Sequence, residues 1–159
     1  MSIILDMKYS MPDFTKMSED IRVGLIEGLR LGMSVAEDRA KTRMGQPGEI
    51  GVKTGTLRRS IMSQVVEDGD YITGSLYSNV RYARIHEEGG IVPAHIIRAR
   101  FARALRFVVG GKVLFRKKVL SPARYQESHP YLRPSINESL GRIRELVIRS
   151  IMGEVEHVI

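Results

Sequence analysis

Between Phe14 and Met44, apolar residues return every three or four positions: Phe14, Met17, Ile21, Leu25, Leu29 and Met33. That is the period of one helical face. The pattern predicts a long helix over 13–44, opening at Pro12-Asp13 with Asp13 as N-cap. Unbroken, it would run about 45 Å, more than one side of a domain this size normally covers, so a kink or an overhang is expected. Gly24, Gly28, Gly32, Ala36 and Ala40 form a second row, each four residues apart. Three interior glycines cost roughly 3 kcal/mol relative to alanine. An offsetting contact is therefore expected, with the groove seating the helix on the sheet or on a neighbouring subunit. Ahead of the helix, residues 1–12 form a lead segment, read as an edge strand or a flexible tail.

After a Gly45-Gln46-Pro47-Gly48 loop the period changes to two. Leu57–Val66 and Tyr71–Tyr77 read as strands joined by a short loop, Glu67-Asp68-Gly69-Asp70. Leu57, Arg59, Ile61 and Ser63 would share one strand face. Ser78-Asn79 is expected to cap a short helix from Val80 to about Glu88. Residues 91–104 are open between helix and extended chain. Leu105–Val109, Gly110-Gly111 and Lys112–Arg116 form a two-residue hairpin, in which Val109 should face Lys112 and Phe107 should face Leu114. A last helix over 133–153 carries the stripe Ile136, Leu140, Ile143, Val147 and Ile151, with Pro134 in its first turn. Residues 154–159 read as a frayed tail. The expected fold is a single α+β domain: a long N-terminal and a C-terminal helix packed on a small, mostly antiparallel sheet (52–120) with a projecting basic hairpin.

Charge adds a second feature. The chain carries a formal net charge of +7. From Gly89 to Gln126 there is no acid, while Arg98, Arg100, Arg103, Arg106, Lys112, Arg116, Lys117, Lys118 and Arg124 fall within it. Such asymmetry points to a polyanion or an acidic protein surface. With Phe101, Phe107 and Phe115 interleaved, one reading is a small basic nucleic-acid-binding module; no groove-reading or base-stacking motif accompanies it. The absence of cysteine excludes disulfides and thiolate metal sites. No apolar run approaches the roughly 20 residues of a membrane span, and the N-terminus lacks the organisation of a signal peptide, so no membrane partner is expected.

Candidate chemistry is sparse. Residues 48–54 miss the phosphate-loop pattern, because Val52 stands before Lys53 where a glycine is needed. His86-Glu87-Glu88 begins like a zinc-protease helix, but Gly90 occupies the second histidine's place. There is no nucleophile elbow and no short-spaced carboxylate cluster. The sequence nominates no catalytic residue, no metal ligand and no cofactor, and the chain is not expected to be an enzyme.

Two motifs occupy the centre. The first is Thr54-Gly55-Thr56-Leu57-Arg58-Arg59-Ser60-Ile61; the second is Tyr82-Ala83-Arg84-Ile85-His86-Glu87-Glu88-Gly89-Gly90. In this order and spacing they resemble the tail-component family of lambda-like tailed phages, and are similar to the virion-morphogenesis family of Mu-like phages. Ala104–Phe107, Gly110-Gly111, Pro122-Ala123-Arg124 and His129-Pro130-Tyr131-Leu132-Arg133-Pro134 extend the match over 52–140. The resemblance implies a small α+β virion protein at the head–tail joint or tail end of a phage or prophage, made in the bacterial cytoplasm. It further implies a tail-completion or neck role as a homo-oligomeric ring around the DNA path, with neighbouring head-completion or tail proteins as partners and non-specific DNA contact in a channel. It also favours an extended or irregular path for 91–104. On that reading the long helix, with Gly24, Gly28 and Gly32, and the Arg98–Lys118 hairpin are the expected interface or DNA-facing surfaces.

Overall fold

The structure, a computed structural model, describes residues 3–10, 19–46, 55–69, 71–100 and 102–156, the first and the last three of these by backbone alone. Asp13, Phe14, Met17, Thr54 and Phe101 lie outside the described residues, and with them the N-cap assigned to Asp13.

The fold is α+β, as the periodicities require. Strand β1 (Ile3–Ser10) makes the lead segment an edge strand. It pairs antiparallel with β3 (Tyr71–Ser78), which pairs antiparallel with β2 (Ile61–Asp68), giving the order β1-β3-β2. The β2–β3 turn is tighter than the sequence indicated: Asp68 pairs with Tyr71, and Gly69 takes φ +57°, a conformation costly for other residues.

Helix α1 (Glu19–Arg43) lies between this sheet and α4 (Leu132–Glu156). Its ridge of Leu25, Leu29 and Met33 is buried with Ile61, Ile72 and Leu76 from the strands. Met33 sits over the bare backbone of Gly74, where an added Cβ would fall 2.9 Å from its Cγ. The glycine row meets α4. A Cβ on Gly24 would lie 2.9 Å from Ile151 Cα, one on Gly28 2.5 Å from Val147 Cα, and one on Gly32 3.0 Å from Ile143 Cα. Each step of four up α1 is a step of four down α4, so the helices run antiparallel in a fixed register. One further step sets Ala36 opposite Ser139 and the next sets Ala40 opposite Ser135, and all four are fully buried. The close approach supplies the dispersion contacts that offset three helical glycines.

This corrects the assignment of Gly24, Gly28 and Gly32 as surfaces for a neighbouring subunit or DNA. Helix α4 of the same chain fills their groove, and all three are buried. Ion pairs from Arg39 and Arg43 to Glu138 close one end of the helix pair.

Three smaller elements depart from expectation. Thr56–Arg59 is one helical turn, α2, not strand, and β2 begins only at Ile61. The helix expected from Val80 is α3 (Ala83–Glu88), with Tyr82 and not Ser78-Asn79 at its N-cap. Helix α4 runs through Gly153 to Glu156, so the predicted tail is partly helical.

Between α3 and α4 the chain makes a long antiparallel ribbon. Its base pairs β4 (Gly90–Val92) with β9 (Arg124–Gln126). Next, β5 (His95–Arg98) pairs with β8 (Lys118–Ser121), and at the tip β6 (Leu105–Val109) pairs with β7 (Lys112–Arg116). The first two ladders share one register. Six residues, 99–104, then oppose the single Lys117, a bulge that resets the pairing of the tip. At the tip Val109 faces Lys112 and Phe107 faces Leu114, the expected register, with Gly110 at φ +55° and Gly111 at φ +76° supplying the primed turn. Residues 91–98 take the extended path.

Candidate functional site: the clasp and the arm it carries

The two central motifs form a corner and a clasp. In the first, Gly55 takes φ +69° and starts α2 by accepting a hydrogen bond from Arg59 N–H at 2.9 Å. Leu57 and Ile61 then enter the core from opposite ends of the turn. The Ser60 hydroxyl lies 2.7 Å from Leu57 O and 2.8 Å from Ser78 Oγ, tying the corner to β3. Arg58 is exposed.

In the second motif the acid matters most. Glu87 is buried, at 4% exposure. Its Oε2 accepts hydrogen bonds from Tyr131 N–H at 2.7 Å and Leu132 N–H at 2.9 Å, and its Oε1 accepts one from Arg133 N–H at 2.9 Å. A helix leaves its first four N–H groups without intrahelical partners. Here three are bound by Glu87 and the fourth residue is Pro134, which has no N–H. The carboxylate also sits at the positive end of a 25-residue helix dipole. Glu87 is therefore the cap of α4, supplied from 44 residues upstream.

Neighbouring contacts extend the clasp. His86 O accepts from His129 N–H at 2.7 Å, and Glu87 O accepts from the Ser128 hydroxyl at 2.8 Å. Gly89, at φ +74°, brings the backbones together: a Cβ there would lie 3.0 Å from Ser128 N. Gly90, at φ +134°, opens β4. Ala83 and Leu132 are fully buried beneath the clasp, while Pro130 lines an open cleft of about 420 Å³ with Glu87 and Arg133. Tyr82 meets the His86 ring edge-on at 5.9 Å. Burial, with His129 and Arg124 nearby, holds the His86 imidazole below the ordinary histidine range. Burial and then the Glu87 charge push the Tyr131 phenol well above its usual range.

The acids of this motif are committed to structure. Both Glu87 oxygens are taken by backbone donors, and Glu88 pairs with Arg84 at 2.6 Å. Among the described residues no three His, Asp or Glu side chains gather where a metal could be held.

The clasp fixes the root of the arm, because β4 and β9 leave directly from it. From Ile91 to Arg124 no described side chain is buried. Arg98, Arg100, Arg103, Arg106, Lys112, Arg116, Lys117, Lys118 and Arg124 are all exposed. Between them stand large apolar side chains in water, among them Ile91, Leu120, Tyr125 and Phe115, the last at 62% exposure. On the tip ladder Leu105, Phe107 and Leu114 are half-buried on one face, while Arg106, Val108, Val113 and Phe115 are exposed on the other. The sequence located this basic, apolar hairpin but missed the capping role of Glu87. One signal was present: Tyr131 precedes the helix where Ser, Thr, Asp or Asn would cap it, so the helix start lacks a cap of its own.

Comparison with family models, curated proteins and solved structures finds no match.

Proposed function

We propose that the protein is a structural virion component of a tailed phage or prophage, a tail-completion or neck protein that works as a homo-oligomeric ring at the head–tail joint or tail end, and not an enzyme. The observation that carries this reading is the arm. A two-stranded ribbon of nine exposed cations and several exposed large apolar side chains, rooted by the clasp in a small α+β body, is a surface awaiting a partner. The order of the two central motifs, through their resemblance to the tailed-phage families, supports the same reading. Ring neighbours and head-completion or tail proteins are its partners, and DNA passing through a channel would meet its cations without sequence preference.

A stand-alone nucleic-acid-binding module is the second reading, favoured by the acid-free run of exposed Lys and Arg. Light scattering over a concentration series at low and high salt, with a DNA mobility-shift assay beside it, separates the two. A discrete oligomer with weak DNA binding supports the virion reading. A monomer that shifts DNA tightly at moderate salt overturns it in favour of the module.

A further inference from the structure

Packing against α4 and the sheet leaves one stripe of α1 facing water. Asp20, Val23, Glu27, Leu31, Ser34 and Asp38 recur at helical spacing on the side opposite the buried ridge of Leu25, Leu29 and Met33, with Arg30 at their border, and all of them are exposed. Leu31 is 54% exposed, although it lies in the middle of a helix whose other side is fully packed. The stripe sets Asp20, Glu27 and Asp38 around Val23 and Leu31 over about 27 Å. The arm tip presents the complement: Arg106 and Phe115 pair across it, and Val108 pairs with Val113, all on the exposed face. One surface is apolar and net acidic, with Arg30 at its edge; the other is apolar with Arg106 on the exposed face and Lys112 and Arg116 on the opposite one, and the two sit on different elements of one chain.

We infer that the exposed face of the β6–β7 tip docks on the Asp20–Asp38 stripe of α1 in a second copy of this chain. This rests on the oligomeric reading above and names its two surfaces. Apolar side chains supply the contact, and opposed charges set orientation and speed encounter. Because the two surfaces differ, the contact is heterologous and repeats head to tail, closing into a ring where the rotation allows.

The chain has no cysteine, so two single variants make a clean test. Leu31→Cys and Phe115→Cys both alter exposed side chains. They are mixed in equal amounts under mild oxidation, while light scattering follows the wild-type chain in parallel. The expected product is a disulfide-linked dimer of the two variants joined between positions 31 and 115, suppressed by high salt. The reciprocal charge test uses Glu27→Lys and Arg106→Glu. Each alone should weaken self-association about tenfold or more, and mixing the two should restore it. If the wild type is oligomeric but the cross-link joins 115 to 115, or does not form, the docking is wrong and the ring reading stands. If the wild type stays monomeric to about millimolar concentration, both fall.

Discussion

Glu87 shows how far one side chain reaches. Replacing it with alanine leaves three N–H groups at the start of α4 without acceptors in a buried site. Charge-assisted hydrogen bonds of this kind are worth about 1.5–3 kcal/mol each when broken singly, and a lost cap costs about 1 kcal/mol. Because the three share one acceptor, Glu87→Ala should cost about 3 kcal/mol in a urea denaturation curve. Glu87→Gln keeps an acceptor oxygen and should cost less. Glu37 plays a smaller part. Burial pushes its carboxyl up, but hydrogen bonds from Lys41 and from the Ser63 hydroxyl and N–H together hold it below its ordinary value. A carboxyl depressed in the folded state contributes stability that is present above its unfolded pKa and lost as pH falls through the folded one. The stability difference between wild type and Glu37→Gln, read by denaturation at successive pH values, should therefore shrink as pH drops below the ordinary carboxylate range.

The helix pair makes a sharper contrast between positions of one residue type. Glycine to alanine in a helix interior normally stabilises by roughly 0.5–1 kcal/mol. At Gly141 of α4 nothing stands within 4 Å of the added Cβ, so Gly141→Ala should raise the melting temperature. At Gly28 the same methyl falls 2.5 Å from Val147 Cα, a backbone atom that moves only if the helix moves. Gly28→Ala should cost about 1–3 kcal/mol, the usual range for overpacking. Opposite signs in thermal unfolding of the two variants would show that the groove, and not helix propensity, governs α1. The tip hairpin is governed more locally, since Gly110-Gly111 and the paired side chains set its register without help from the body.

Body and arm differ in what holds them. The core lies in the four helices, β2 and β3, with Met44 and Tyr131, and among the described residues none of it comes from Ile91 to Arg124. Replacing 91–125 with a short Gly-Ser turn should therefore leave the unfolding midpoint within a few degrees of wild type, because the clasp bonds from His86 and Glu87 to 128–133 are retained. On the proposed function the shortened chain should lose self-association; thermal unfolding checks the body and light scattering the arm.

Much of this was written in local pattern. The 3.6-residue period of α1 and α4, the glycine row, the Asp68-Gly69 and Gly110-Gly111 turns and the acid-free basic run are properties of adjacent residues, and local chemistry decides them. The strand expected over Leu57–Arg59 failed for a tertiary reason: a strand would turn Arg59 toward the core between Leu57 and Ile61, whereas the helical turn buries both apolar residues and leaves Arg59 exposed. The occupant of the glycine groove was also invisible, because an i±4 furrow accepts a sheet, a partner or a helix equally well. Only the fold, by bringing Ile143, Val147 and Ile151 into that furrow, chose among them. Glu87 is the clearest case. Nothing near it in sequence needs a carboxylate; the need arises 44 residues later, at a helix start with a tyrosine for a cap and a proline in its first turn.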